Sequence, residues 1–176
     1  MKRTADQIYA TNVASREKLL AVINDINAEK AVTVADGEGW TIAQVLEHIS
    51  IVESGIIRIC AKLLGKAEAA GEMSDGTITL SDEFLTSAGE IKDAKLEAPE
   101  TVRPAADITL AQAMDHLAAN QEMLADLQTK FLEFRADIGT YPHPYLGNMT
   151  AGEWLSLIGG HQLRHLHQIE RINAKL

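Results

Sequence analysis

Residues 41–64 read TIAQVLEHISIVESGIIRICAKLL, and this stretch decides the fold class. Its apolar residues recur at alternating steps of three and four, the spacing of one face of an α-helix packed in a bundle. Thr41 is followed three residues later by Gln44, a pattern typical of a helix N-terminus whose free amides are bonded by both side chains. We therefore predict a long amphipathic helix here. Its inward residues are Ile42, Val45, Ile49, Val52, Ile56, Ile59 and Leu63.

Three further segments begin with the same pattern and carry helical periodicity. The pairs are Thr4 with Gln7, Thr109 with Gln112, and Thr150 with Glu153. We predict a first helix from about Thr4 to Lys30, a third from Thr109, and a fourth from Thr150 to nearly the end of the chain. The expected inward residues are Ile8, Val13, Leu19, Leu20, Ile23 and Ile26 in the first helix, and Leu110, Ala113, Leu117, Asn120, Leu124, Leu127, Phe131 and Phe134 in the third.

The connections between these helices indicate their arrangement. About forty residues, 66–108, separate the second helix from the third, with a short possible helix at 81–85. Antiparallel neighbours need a much shorter loop, so this segment predicts a crossover that lets helices two and three run parallel. The loop at 140–149, rich in Pro, Gly and aromatics, is expected to pack over one end of the bundle. We predict an all-α four-helix bundle, with residues 1–176 forming a single domain.

Composition excludes several classes of partner. The chain has a formal net charge of −9 at pH 7 and one cysteine, Cys60. An acidic chain without a basic stripe lacks the phosphate contacts on which nucleic-acid binding rests. The N-terminus lacks the apolar run of a secretory signal, and no stretch approaches the roughly 18 apolar residues of a membrane span. A single cysteine excludes an internal disulfide framework. We expect a cytoplasmic protein that binds neither nucleic acid nor membrane.

The fourth helix carries polar residues where a bundle normally has leucine or isoleucine. Residues 159–172 read GGHQLRHLHQIERI, and the helical spacing turns His161, His165 and Gln168 inward. His161 and His165 are four residues apart, so their side chains lie on one face, and two imidazole nitrogens can converge on one ion at roughly 2.0–2.1 Å. Burial of two unpaired imidazoles side by side is unfavourable, and a metal ion removes that cost. The alternative is a packed pair of core histidines.

A third histidine lies on the second helix. His48 is about 60° from the centre of the apolar stripe, so it can reach across to a neighbouring helix. Three neutral imidazoles from two helices would leave coordination positions open to water or substrate, as in a catalytic metal site. A single histidine at a helix edge is, however, more often a packed or half-exposed residue. His167 and His116 are expected to be exposed.

Three further residues are candidates for substrate contact or for support of the site. Arg164 adjoins the histidine pair and could hold an anionic group, although a salt bridge to a nearby helix is the commoner role. Asn120 interrupts the apolar face of the third helix, where a register-setting asparagine is the alternative. His143, between two prolines, could line the mouth of the site, but we favour a role in the turn.

Together these motifs closely resemble the DinB-like superfamily (DNA-damage-inducible, YfiT-like) of metal-binding four-helix bundles. The residues that carry the resemblance are GWTIAQVLEHI at 39–49, HPYLGNMTAGEWL at 143–155 and HQLRHLHQI at 161–169. The resemblance covers essentially the whole chain, including the long connection. It implies an up-down-down-up order of helices.

The same resemblance implies a ligand set and a class of chemistry. The family's metal ligands fall on His48, His161 and His165, and its tryptophan falls on Trp154. Its characterised members carry out metal-assisted reactions of small thiols such as bacillithiol, glutathione and mycothiol. We expect a divalent ion, zinc or nickel, and a metal-dependent enzyme that transfers a low-molecular-weight thiol or hydrolyses a small molecule. The alternative is a non-catalytic metal-binding helical module.

Other metal-binding bundles do not fit the sequence. A di-iron carboxylate site needs Glu-x-x-His pairs, and a zinc protease needs His-Glu-x-x-His; neither motif is present. Bundles with exposed apolar residues often form twofold dimers, so we also expect a homodimer.

Overall fold

The computed structural model describes residues 1–91 and 96–176, and it confirms the all-α four-helix bundle. Six α-helices and two short antiparallel strand pairs are present in this part of the chain. The helices are α1 (Ala5–Ile23), α2 (Ala28–Ala31), α3 (Ile42–Ala69), α4 (Asp82–Ile91), α5 (Leu110–Glu133) and α6 (Ala151–Asn173). The strands are β1 (Lys2–Arg3), β2 (Ile78–Thr79), β3 (Tyr141–His143) and β4 (Gly147–Met149), and a 3₁₀ turn spans Glu100–Val102.

The four long helices α1, α3, α5 and α6 begin where the sequence predicts. Each is preceded by a threonine whose side chain accepts a hydrogen bond from the backbone three residues later, and the Gln or Glu at that position bonds back to the threonine amide. All four capping boxes are therefore confirmed. Each satisfies two amides that have no partner within the helix.

The order of the helices is up-down-down-up. α1 packs against α6, α6 against α3, and α3 against α5. Lys130 near the end of α5 pairs with Glu68 near the end of α3. The C-terminal ends of the two helices therefore lie together, and the helices run parallel. The strand β1 before α1 pairs with β2, and Ile78 of β2 lies beside Gly152 at the start of α6, so α1 and α6 also start at the same end. The crossover at residues 70–109 makes the parallel pair possible.

The first and second predicted helices end at other residues than expected. α1 ends at Ile23 rather than Lys30, because the side chain of Asn27 accepts a hydrogen bond from Lys30 N and starts the separate short helix α2. α3 continues to Ala69. Val13 was expected inward, but it is 40% exposed, because α1 and α5 make few contacts and leave a groove of about 410 Å³ beside it.

The connections carry more structure than the sequence indicated. The short helix expected at 81–85 is α4, which extends to Ile91, and the loop at 140–149 forms the antiparallel hairpin β3–β4. This hairpin packs on the start of α6, where Trp154 Nε1 donates to Tyr141 O. None of the helices in residues 1–91 and 96–176 is long and apolar enough to cross a membrane.

A polar layer divides the bundle core into two apolar clusters. One cluster surrounds Tyr9, Ile56, Leu124 and Trp154, and the other surrounds Leu19, Ile49, Leu117 and Leu166. The buried polar residues between them come from all four long helices: Asn12, Ser15, Arg16, Ser50, Glu53, Asn120 and Gln162. The three histidines at 48, 161 and 165 are on the two helices that meet beside this layer, α3 and α6.

Candidate metal site

Helix α6 presents two histidines on one face, as their spacing predicts. His161 and His165 have ring centroids 4.5 Å apart at an interplanar angle of 68°. His165 is buried, whereas His161 keeps part of its surface exposed. Because one helical turn separates their Cα atoms, the pair is held by local geometry alone.

Helix α3 adds the third histidine to the pair. The His48 ring lies 5.2 Å from the ring of His161 and 4.8 Å from that of His165, measured between centroids. One ligand nitrogen from each of the three side chains can be chosen so that all lie within 4.8 Å of one another. The structure thus brings together the three residues for which the sequence predicted a shared site.

Hydrogen bonds orient two of these rings. His48 Nδ1 lies 2.8 Å from Val102 O, and because a carbonyl can only accept, Nδ1 donates and Nε2 keeps its lone pair. His165 Nδ1 lies 2.8 Å from Gln168 Oε1, one turn further along α6, and the same argument leaves Nε2 free. Histidines that bind metals are held in this way by a second partner on the other nitrogen.

All three imidazoles are poised to be neutral. Burial is the largest cause and lowers the pKa of His48, although the bond to Val102 O opposes it. Burial and the neighbouring His165 and His48 lower the pKa of His161 well below its usual range. For His165, burial and His48 lower the pKa to about 4. Only a neutral imidazole has a lone pair for a metal ion, so this electrostatic environment favours the ligand form.

The donor set fits a divalent ion with open coordination positions. Three imidazoles suit zinc and nickel, and no fourth His, Cys, Asp or Glu joins the cluster within the described ranges. Imidazole nitrogens bind zinc at roughly 2.0–2.1 Å, and the three nitrogens, which lie within 4.8 Å of one another, would converge further to hold one ion. Three protein ligands with a remaining position are typical of catalytic rather than structural zinc.

Aromatic and charged side chains surround the histidines. The ring of Trp40, just before the N-cap of α3, lies 5.1 Å from that of His48. Arg164 lies close enough for its charge to contribute to the lowered pKa values of His48, His161 and His165. Its Nη1 donates to Ile91 O at 2.7 Å, at the end of α4. The site therefore has an aromatic side and a positive charge nearby.

The other predicted candidates lie at different distances from the histidines. His143 Nδ1 accepts hydrogen bonds from Tyr145 N and Leu146 N, both at 3.1 Å, which is the turn role that we favoured. A positive charge on His143 would nevertheless lower the pKa of His161, so the two rings are near each other. Asn120 is buried in the polar layer, and its Nδ2 donates to Ser50 O at 2.7 Å. That contact between α5 and α3 is what a register-setting asparagine makes.

The two histidines expected to be exposed are exposed. His167 Nδ1 lies 3.2 Å from Glu170 Oε2 on the outer face of α6. His116 lies on α5, 4.0 Å from a carboxylate oxygen of Glu47. Neither joins the three-histidine cluster.

Sequence reasoning missed the groups that orient the candidate ligands. Gln168 follows His165 by three residues, a spacing at which side chains on a helix meet, so this partner had a detectable signal. The Val102 carbonyl had no such signal, because it lies 54 residues from His48, in the 3₁₀ turn of the crossover. The position of Trp40 beside His48 also depends on how the chain enters α3.

Comparison with known proteins agrees with this fold. TT2238, a four-helix bundle protein known from its crystal structure, superimposes with a TM-score of 0.64 over 96% of this chain and 99% of its own, at 20% sequence identity. The uncharacterized protein YuaE of Bacillus subtilis (strain 168) is 26% identical over 157 residues, which is 88% of this chain and 90% of YuaE. The family model of the DinB superfamily matches residues 12–169. The chain belongs to the DinB superfamily.

Proposed function

We propose that this protein is a metal-dependent enzyme whose site holds a divalent ion, zinc or nickel, through His48, His161 and His165. The observation that carries the proposal is the convergence of three imidazoles, with no fourth His, Cys, Asp or Glu in the cluster among the described residues. Burial lowers the pKa of each ring, which favours the neutral form that can bind a metal. When bound, such an ion lowers the pKa of water or of a thiol in its open position and so supplies a nucleophile at neutral pH. The reaction is the transfer of a low-molecular-weight thiol to a small electrophile, or a hydrolysis.

The surrounding residues have distinct roles in this proposal. The Val102 carbonyl and Gln168 keep His48 and His165 in the tautomer that presents Nε2. Arg164 supplies positive charge that attracts an anionic thiol or substrate group. His143 accepts at Nδ1, so its Nε2 carries the proton and can donate to a substrate near His161. Trp40 provides an apolar wall.

A non-catalytic metal-binding module is the second candidate. The low exposure of His48 (5%) and His165 (8%) favours it, because a structural ion is normally enclosed. In that case the ion would stabilise the bundle without activating a bound water or thiol. The two candidates need the same ligands and differ in chemistry at the open position.

The experiment uses tag-free protein loaded with zinc or with nickel. Cysteine, glutathione and bacillithiol would each be offered with a panel of alkyl and aryl electrophiles, and with ester substrates, and adducts or hydrolysis products measured by mass spectrometry. We expect turnover that requires the metal and is lost in His161→Ala. Metal binding that raises the melting temperature without any turnover would favour the second candidate.

The proposal also covers location and partners. A cytoplasmic location suits thiol chemistry and a single cysteine, Cys60, which is buried. The net charge of −9 argues against nucleic acid and anionic membranes as partners. We expect a small-molecule substrate and a homodimer, which sedimentation velocity would detect as a mass of twice 19.1 kDa.

A further inference from the structure

The crossover segment around residues 102–106 is fastened to the first turns of α3 by three neighbouring side chains. His48 Nδ1 donates to Val102 O at 2.8 Å, and Ala105 N donates to Glu47 Oε2 at 2.8 Å. Gln44 Nε2 lies 3.3 Å from Ala105 O and 3.4 Å from Ala106 O. Val102, which is 54 residues from His48 in sequence, thus supplies the hydrogen-bond partner of this predicted metal ligand.

Glu47 is the charged member of this set. It is only 7% exposed, and burial of a carboxylate is unfavourable unless its oxygens are bonded. Oε2 accepts from Ala105 N, while Oε1 lies 4.0 Å from His116 Nδ1 on the exposed side of α5. Glu47 adjoins His48 in sequence but is not a member of the three-histidine cluster. Its buried carboxylate therefore needs another explanation.

The chain between the two fastened points is short and stiff. Arg103 is extended, with φ −72° and ψ 139°, as expected for a residue before proline, and Pro104 has a fixed φ. With so few free dihedrals between Val102 and Ala105, the position of the Ala105 amide limits where the Val102 carbonyl can lie. The two hydrogen bonds, at Ala105 N and at Val102 O, are therefore only three residues apart on a restricted stretch of backbone.

We propose that Glu47 is a positioning residue for the metal site. By holding the Ala105 amide it keeps the Val102 carbonyl against His48 Nδ1, which fixes the tautomer and the ring orientation that present Nε2 to the ion. The inference rests on the proposed metal site. Partners of this kind change metal affinity by about 10–100-fold when removed.

The first test is zinc affinity, measured by competition with a chromophoric chelator. We expect Glu47→Ala to bind zinc about 10–100-fold more weakly than wild type. Glu47→Gln should restore affinity to within about threefold, because its amide oxygen still accepts from Ala105 N. His116→Ala is the matched control, since it removes only the outer neighbour of Glu47, and its affinity should be unchanged. Equal affinity in Glu47→Ala, or no rescue by Glu47→Gln, would overturn the inference.

A second readout needs no metal. The tautomer of His48 can be read from ¹⁵N chemical shifts of the ring in the metal-free protein, and we expect protonated Nδ1 in wild type and Glu47→Gln but a mixture in Glu47→Ala. If Glu47→Ala fails to fold, Ala105→Pro removes the same hydrogen bond from the exposed side and should give the same mixture. An unchanged tautomer overturns the inference. A wild-type protein that binds no metal overturns the proposed function and the role of Glu47 at a metal site, whereas metal binding with an unchanged tautomer in Glu47→Ala overturns the inference about Glu47 alone.

Discussion

At the scale of single residues, the site depends on what the non-coordinating nitrogen of each ring contacts. His165 has its partner, Gln168, on the same helix, whereas His48 depends on the crossover. Among the described residues, His161 makes no hydrogen bond through its ring, so its orientation rests on packing. The three candidate ligands are therefore not equivalent, and substitutions around them should differ in effect.

Replacement of Gln168 by leucine should weaken zinc binding by about 10–100-fold, because His165 loses the acceptor that fixes its Nδ1 proton. Gln168→Glu should bind zinc at least as well as wild type, since a carboxylate accepts the same bond more strongly. Isothermal titration of the two variants beside His167→Gln, an exposed control, measures this. Equal affinities in Gln168→Leu and wild type would show that the bond has no such role.

The stability of the metal-free protein should fall as the pH is lowered below 6.5. The pKa of His165 is about 4 in the folded chain, against 6.5 for an unperturbed histidine. Between pH 4 and pH 6.5 the unfolded chain binds a proton at His165 that the folded chain does not. The stabilisation from neutral His165 is therefore fully present above pH 6.5 and is lost as the pH falls toward 4. His165 alone accounts for about 2 kcal/mol at pH 5.

Urea unfolding of the chelator-treated protein at pH 7.5 and pH 5 would measure this loss. His165→Gln should show a smaller difference between the two pH values, because one of the groups responsible is gone. An unfolding free energy that does not fall between pH 7.5 and pH 5 would contradict the assignment of neutral histidines.

The candidate ligands could be predicted because their signal is local. His161 and His165 are one turn apart, and the polar interruption of an apolar face is visible in the sequence. His48 was joined to them by its place near the α3 stripe and by family resemblance. Val102 and Glu47 could not be connected to the site, because the path of the crossover is set by tertiary contacts that leave no periodic pattern.

At the scale of helices, the contact between α1 and α6 fixes the position of His161 and His165 along the bundle axis. Asn12 Nδ2 donates to Leu155 O, and Asn12 Oδ1 accepts from Gly159 N, both at 3.0 Å. One side chain of α1 thus bonds two successive turns of α6 just before His161. The missing side chain at residue 159 allows this, since a Cβ there would lie 2.8 Å from Asn12 Oδ1 and 3.1 Å from Ser15 Oγ.

Gly159→Ala should therefore destabilise the bundle by about 1–3 kcal/mol, the usual range for overpacking a core, and should weaken zinc binding as α6 shifts. Gly160→Ala is the matched control: nothing lies within 4 Å of its Cβ position, and alanine in a helix interior should stabilise by up to about 1 kcal/mol. Thermal melts and zinc titrations of both variants give the comparison. Similar behaviour of the two variants would contradict this account of the helix contact.

Helix starts were predictable and helix ends were less so. The four capping boxes involve residues three apart, so the sequence contains the whole interaction. The end of α1 depends on Asn27, which caps α2 instead of continuing the first helix. The exposure of Val13 follows from the separation of α1 and α5, which apolar periodicity within one helix does not reveal.

At the scale of the whole molecule, a buried ion pair joins α1 to α3 across the polar layer. Arg16 Nη2 bonds Glu53 Oε2, and Arg16 Nη1 donates to Leu117 O at 3.1 Å on α5. Burial raises the pKa of Glu53, and the nearby Arg16 opposes that rise. Loss of one partner would leave a buried charge without its counter-ion, which is more costly than loss of the pair.

We expect Arg16→Met to destabilise the protein by about 3–5 kcal/mol, and the double variant Arg16→Met with Glu53→Leu to recover most of that loss. Urea unfolding of wild type, both single variants and the double variant forms a complete cycle. A double variant as unstable as the sum of the single variants would show that the pair is not coupled.

The division of the core into two clusters was only partly visible in the sequence. Asn120 was recognised as a polar break in an apolar face, and the structure places it in the layer. Arg16, Glu53 and Gln162 resemble ordinary surface residues by type. Their burial follows from how the four long helices are positioned relative to one another along the bundle axis. Only the assembled bundle determines these positions.

The most direct test of the account is the metal content of tag-free protein, measured by elemental analysis and native mass spectrometry after incubation with zinc or nickel. Wild type is predicted to hold about one ion per chain, and a His48→Ala, His161→Ala double variant that still folds should hold none. Wild-type protein that retains neither zinc nor nickel, or a double variant that binds as well as wild type, would contradict the central claim that these three histidines form a metal site.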